Sequence, residues 1–132
     1  MKKFFGIVGT ALLLVASPAL AQSAMGPAET IAAVAKSGDT TGVFAFTVAS
    51  AGGSGFNVYL NSAADYKDPG NLTIELHSAA INALKAKLGG YPQDVLTGKR
   101  VQVKGTARRV PVGSHFQTRI VVDSIDQIDI LG

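Results

Sequence analysis

Residues 71–88, NLTIELHSAAINALKAKL, change period once, and that change decides the fold. Up to His77 the period is two. Leu72, Ile74 and Leu76 alternate with Asn71, Thr73, Glu75 and His77, the pattern of a strand with one buried face. From Ser78 the apolar positions Ile81, Leu84 and Leu88 follow helical spacing. Ser78 is a candidate N-cap, and Lys85 and Lys87 fall near the C-terminal end, where the helix dipole favours cations. Gly89 and Gly90 end the helix.

Upstream, Phe56, Val58 and Leu60 alternate with Asn57, Tyr59 and Asn61, a second half-buried strand. Phe44, Phe46 and Val48 share one face of a strand over 43–48, and Phe44, Phe46 and Phe56 are expected in the core. The run Ala51-Gly52-Gly53-Ser54-Gly55 reads as a turn or flexible loop. Residues 28–36 suit a short helix burying Ile31, Val34 and Ala35, with Glu29 in its first turn. Residues 22–27 read as a loose leader.

Downstream, Val101, Val103 and Gly105 alternate with Arg100, Gln102 and Lys104. Residues 110–115 read as a hairpin connection, 117–122 as another strand, and Ile125, Ile128 and Ile130 as a last extended segment. The order is three strands, one helix and two strands. A helix at that place suits an all-β, five-stranded Greek-key barrel, in which the chain crosses the barrel after the third strand and the helix plugs an open end. A small sandwich is the other arrangement, and it has no need of the helix.

Three stretches carry a resemblance. LTGKRVQVKGTA at 96–107, with its Gly-Lys-x-Val-x-Val-x-Gly core, resembles the fourth strand of OB-fold domains, both nucleic-acid-binding ones and exported bacterial ones. IVVDSIDQIDIL at 120–131 resembles their last strand. Residues 56–61 and 71–76 resemble their second and third. The resemblance spans about residues 40–131 and implies an OB-fold domain over 40–132. It implies no single ligand, since this barrel serves DNA, RNA, sugars and proteins.

Residues 1–21 read as a signal peptide. Lys2 and Lys3 precede an apolar stretch from Phe4 to Ala16, which is too short to span a bilayer, and Ala19-Leu20-Ala21 suits cleavage before Gln22. The expected location is periplasmic or secreted, with no membrane span after cleavage. Losing Lys2 and Lys3 turns a net charge of +3 into +1, ten basic residues against nine acidic, which weakens long-range attraction for a polyanion. The absence of Cys excludes disulfides, thiolate zinc sites and a cysteine nucleophile.

The expected function is that of a non-catalytic binding module. Tyr59 and Tyr66 are candidate stacking rings. Arg100, Lys104 and Arg119 form a candidate basic face, with Arg108 and Arg109 following on. Thr73 and Glu75 complete the proposed ligand-binding set. The ligand is an oligosaccharide, a peptide or a nucleic acid, the last not favoured in an exported protein. No cofactor or metal is expected. Asp65 and Asp68 lack the further oxygen ligands of a calcium loop. The other readings are an envelope accessory protein that engages another protein, and a nuclease-like phosphodiesterase, for which the acids are too dispersed. A monomer is expected. The helix at 28–36 discriminates: packed on its own barrel it is structural, and projecting it would favour the accessory protein.

Overall fold

The computed structural model describes residues 23–132, so the expected signal segment lies outside the described residues. The elements run α1 (Pro27–Ser37), β1 (Thr40–Thr47), β2 (Ser50–Ser54), β3 (Asn57–Asn61), β4 (Leu72–Leu76), α2 (Ser78–Leu88), α3 (Pro92–Val95), β5 (Arg100–Val112), β6 (His115–Val122), a 3-10 turn (Ile125–Gln127) and β7 (Ile128–Ile130). The strands form a seven-stranded sheet in the order β1-β5-β6-β4-β3-β2, with β7 also on β5. The domain is rich in sheet and barrel-like.

Seven strands replace the expected five for two reasons. The first is a break at Val48 and Ala49. Val48 bonds the segment leading into β5, accepting from Gly98 N at 2.7 Å and donating to Lys99 O at 2.9 Å. Ala49 turns the other way and donates to Asn61 O at 2.8 Å. One continuous stretch therefore leaves β5 and joins β3, and its halves count as β1 and β2. The second reason is β5 itself, which is 13 residues long. Its first half holds β1 on one edge and β7 on the other, and its second half holds β6.

Residues 51–54 of the run thus belong to strand β2 and not to a loop, and Gly55 lies in the turn that follows. The registry of β2 is Ser50 opposite Asn61, Gly52 opposite Tyr59 and Ser54 opposite Asn57. Gly55 makes the tight turn with a φ of 67°, a conformation open to glycine at little cost. Phe56 shares that turn and is 87% exposed, so it is not a core residue. A two-residue hairpin leaves its tip no neighbour to pack on.

The core forms where the alternation says it should. Phe44, Leu60, Leu72, Ile74, Leu76 and Ile120 are buried on the inner face, with Leu84 of α2 and Leu96 beside them. Burial of each such side chain stabilises by about 1.5–3 kcal/mol. The helix between β4 and β5 stands as expected, ending at Gly89 with a φ of 76°. Its N-cap is His77, not Ser78, and no side chain caps it. Ile125 belongs to the 3-10 turn, and only Ile128–Ile130 is extended.

Helix α1 packs on its own barrel, burying Val34 and Thr30; Ala35 is exposed. Ahead of it, Met25 bridges to β1 in parallel, donating to Val43 O and accepting from Ala45 N, each at 2.9 Å. That bridge covers part of the outer edge of β1.

Two glycines test this packing. A Cβ at Gly105 would meet the buried Ile120 Cγ2 at 3.0 Å, whereas one at Gly52 meets nothing within 4 Å. Urea unfolding is expected to show Gly105→Ala destabilised by about 1–3 kcal/mol through overpacking. Gly52→Ala is expected to stay within about 0.5 kcal/mol of the parent.

Candidate ligand-binding cleft

The strands that bury Leu60, Leu72, Ile74 and Ile120 inward must turn the intervening residues outward. On β3 these are Asn57, Tyr59 and Asn61, and on β4 Thr73 and Glu75. Registry sets Asn61 beside Thr73 and Thr73 beside Arg119 of β6. Beyond β3, strand β2 contributes Gly52, which has no side chain to cover Tyr59. The result is a cleft of about 680 Å³, floored by Tyr59, Asn61, Thr73, Gln117 and Arg119 and rimmed by Asp65 and Tyr66.

The floor is polar although it is buried. Thr73 is 1% exposed, Gln117 6% and Asn61 7%. Thr73 Oγ1 donates to Asn61 Oδ1 at 2.8 Å and accepts from Asn71 Nδ2 at 2.9 Å. Asn71 also receives Ala63 N at 3.0 Å and donates to Tyr66 O at 3.3 Å. Gln117 Nε2 reaches the same Tyr66 carbonyl at 3.2 Å. The loop carrying Tyr66 is therefore anchored from two strands. With Asn61 Oδ1 committed to accepting, its Nδ2 is left as a donor with no partner among the described residues.

A chain of charges sets Arg119. Its Nε donates to Gln117 Oε1 and one Nη to Glu75 Oε1, both at 2.8 Å, and its guanidinium lies 4.9 Å from the centre of the Tyr59 ring. Glu75 Oε2 then lies 2.6 Å from His77 Nε2, and His77 Nδ1 lies 2.6 Å from Asp123 Oδ1. Neutral imidazole carries one N–H, so two carboxylate partners call for the imidazolium. The hydrogen bond to Glu75 does most to raise the His77 pKa above 6.5; partial burial opposes it, and Asp123 adds to it.

Of the residues expected to bind ligand, Tyr59, Tyr66, Thr73 and Arg119 line the cleft. Glu75 is not on its surface and instead holds Arg119. Arg100 and Lys104 are exposed but elsewhere: they sit opposite Thr47 and Val43, in the half of β5 that pairs β1. The expected basic face is therefore divided between two parts of a curled strand. Arg108 faces Asp39 at 3.7 Å, and Arg109 stacks 3.9 Å over the exposed Phe116 ring. Asp65 and Asp68 fold their own loop, accepting from Lys67 N at 2.9 Å and Gly70 N at 2.8 Å.

Asn61, Gln117 and the pairing of His77 with Asp123 were not singled out from sequence. Asn recurring at 57, 61 and 71 was the available signal, because Asn is depleted in strands unless its amide is used. A Ser114-His115-Asp123 set can be drawn on the sequence, but Asp123 is bonded to His77 instead.

No known protein family matches the sequence, and no curated protein does. Among solved structures, a protein described as an aspartyl-tRNA synthetase from Leishmania major Friedlin has a similar fold, with a TM-score of 0.54 at 14% identity. The match covers 91% of this chain but 23% of that one. At that identity the likeness is one of fold.

Two measurements check the geometry. Thr73→Val removes the hydroxyl that donates to Asn61 Oδ1 and accepts from Asn71 Nδ2, leaves those amides their longer bonds at 3.3–3.4 Å, and is expected to cost about 1–3 kcal/mol in urea unfolding. The second is pH. With its folded pKa raised, His77 contributes stability that is fully present below the unfolded value near 6.5 and is lost as pH rises through the folded value. Melting temperature should fall over that interval in the parent, and the fall should be shallower in His77→Asn.

Proposed function

We propose that the protein is an exported, non-catalytic binding module that takes an extended polar ligand across the outer face of β2, β3, β4 and β6. The observation that carries this is the buried polar layer under the cleft. A barrel built for stability alone has no use for Asn61, Thr73, Asn71 and Gln117 at such depth, because each needs partners to offset its desolvation. Here the partners are supplied, and the layer fixes an amide and a guanidinium facing open space. Pre-set polar groups in a concave site are what recognition needs.

The fold likeness to a tRNA synthetase supports a barrel of the OB type, whose members bind polymers on this kind of face. Export rests on Lys2, Lys3 and the apolar stretch that follows them. Among the described residues no helix is long and apolar enough to cross a membrane. Packing of α1 on its own sheet weighs against the accessory-protein reading, in which that helix would project.

The test is a thermal-shift screen with neutral oligosaccharides, extended peptides and oligonucleotides. A ligand of the folded state raises melting temperature in proportion to ln(1 + [L]/Kd). The hit is expected to vanish in Gly52→Leu, which fills the cleft from a position with open space around it, and in Arg119→Ala. Hits indifferent to both substitutions, or no hit in any class, would count against the reading.

A further inference from the structure

The geometry points to an uncharged, hydroxyl-rich ligand for this cleft, a neutral oligosaccharide, with one sugar ring seated against Tyr59 between Asn61, Arg119 and Asp65. The inference rests on the cleft being the binding site.

Charge accounting comes first. Arg119 is the basic residue of the cleft, and Glu75 neutralises it at 2.8 Å. The other charged group on the lining is Asp65, an anion. The remaining cations that a phosphate chain would use are spent or distant. Arg108 faces Asp39, Arg109 covers Phe116, and Arg100 and Lys104 lie along β1. Lys67 is 5.7 Å from the Tyr66 ring, with Asp65 and Asp68 in the same loop. A polyanion gains affinity by replacing counterions with fixed cations, and this surface offers it no uncompensated row of them.

Hydrogen-bond accounting comes second. Sugar hydroxyls both give and take, so their site must hold donors and acceptors side by side. Asn61 Nδ2 and the second Nη of Arg119 are donors with no partner among the described residues. Asp65 uses Oδ1 on Lys67 N, and its Oδ2 remains an acceptor. The Tyr59 hydroxyl is only weakly engaged, 3.5 Å from Ser54 Oγ. Asn61 is buried and its Oδ1 accepts from Thr73 Oγ1 at 2.8 Å, so its donor is held in place before any ligand arrives. One face of the Tyr59 ring is covered by Arg119, and Gly52 opposite leaves the ring without a side chain across from it. An apolar ring face beside directional polar groups suits a pyranose, which has C–H faces and a hydroxyl rim.

The experiment is a titration of the purified protein followed by ¹⁵N NMR of the Asn61 side-chain amide and the Arg119 Nε–H. The probes are maltohexaose, cellohexaose and chitohexaose, each to about 10 mM, which fills even a millimolar site, and oligothymidylate in a parallel arm. One of the sugars is expected to move both signals. Its affinity should change less than about twofold between 50 and 500 mM salt, where exposed ionic contacts are screened. It should weaken by about tenfold or more in Tyr59→Ala, as expected for an aromatic contact residue. Gly52→Leu should abolish binding while retaining the parent's melting temperature.

Three results would overturn the inference. If none of the sugars moves these signals, the ligand class is wrong. If oligothymidylate moves them with steep salt dependence, the class is wrong and the cleft stands. If a probe binds and shifts only signals outside the cleft, both the class and the site fall.

Discussion

Parallel pairing of β4 with β6 is the constraint on which the cleft depends. Parallel neighbours cannot be joined by a hairpin, so the chain must leave β4, cross, and return. Helices α2 and α3 and the long β5 make that crossing. The registry of the return places Thr73 beside Arg119 and Glu75 beside Val121. A slip of one residue would send Arg119 into the core and Ile120 outside, because strand side chains alternate. The burial of Leu72, Ile74, Ile120 and Val122 thus fixes where the guanidinium points. Hydrophobic packing on one side of the sheet aims the polar groups on the other.

Those two sides obey different physics. Inward, the contacts are non-directional and tolerate exchange of one apolar residue for another of similar volume. Outward, Asn61, Thr73, Asn71 and Gln117 are held by hydrogen bonds that each specify one donor and one acceptor. Such a layer rigidifies the groups it satisfies, and among the described residues it leaves the Asn61 Nδ2 donor over, held by the bond its own Oδ1 accepts from Thr73. The charge chain behind it extends the order to the end of β6, where Asp123 is exposed and Glu75 is nearly buried. When His77 gives up its proton, the exposed Asp123 is the partner that water can replace at little cost. Glu75 keeps the remaining N–H and with it the position of Arg119.

Much of the fold was legible because period-two alternation over 56–61 and 72–76, and the switch at Ser78, are direct images of burial. The strand at 50–54 was not, because Gly52 and Gly53 carry no side chain whose alternation can be seen. Phe56 misled for the opposite reason: it continues an apolar period past the point where the hairpin turns. Tyr59, Tyr66, Thr73 and Arg119 share one cleft lining because they occupy outward positions on neighbouring strands and a loop. Arg100 and Lys104 point outward as expected but lie away from the cleft, because alternation gives a face and not a neighbour. On a strand of 13 residues that changes partners midway, Arg100 and Lys104 lie along β1 while Arg108 lies along β6. Asn61 escaped notice because its bonds run to Asn71 and Thr73 across the loop, and Gln117 because its anchor on Tyr66 O lies far away in sequence.

The parallel bridge at Met25 has a consequence for how much of the amino-terminal end can be trimmed. It masks Val43 O and Ala45 N, groups that would otherwise be open to another chain's backbone. A protease cutting just before Gln22 would leave this clasp intact. One cutting after Met25 would release it and leave Val43 O and Ala45 N on an open strand edge.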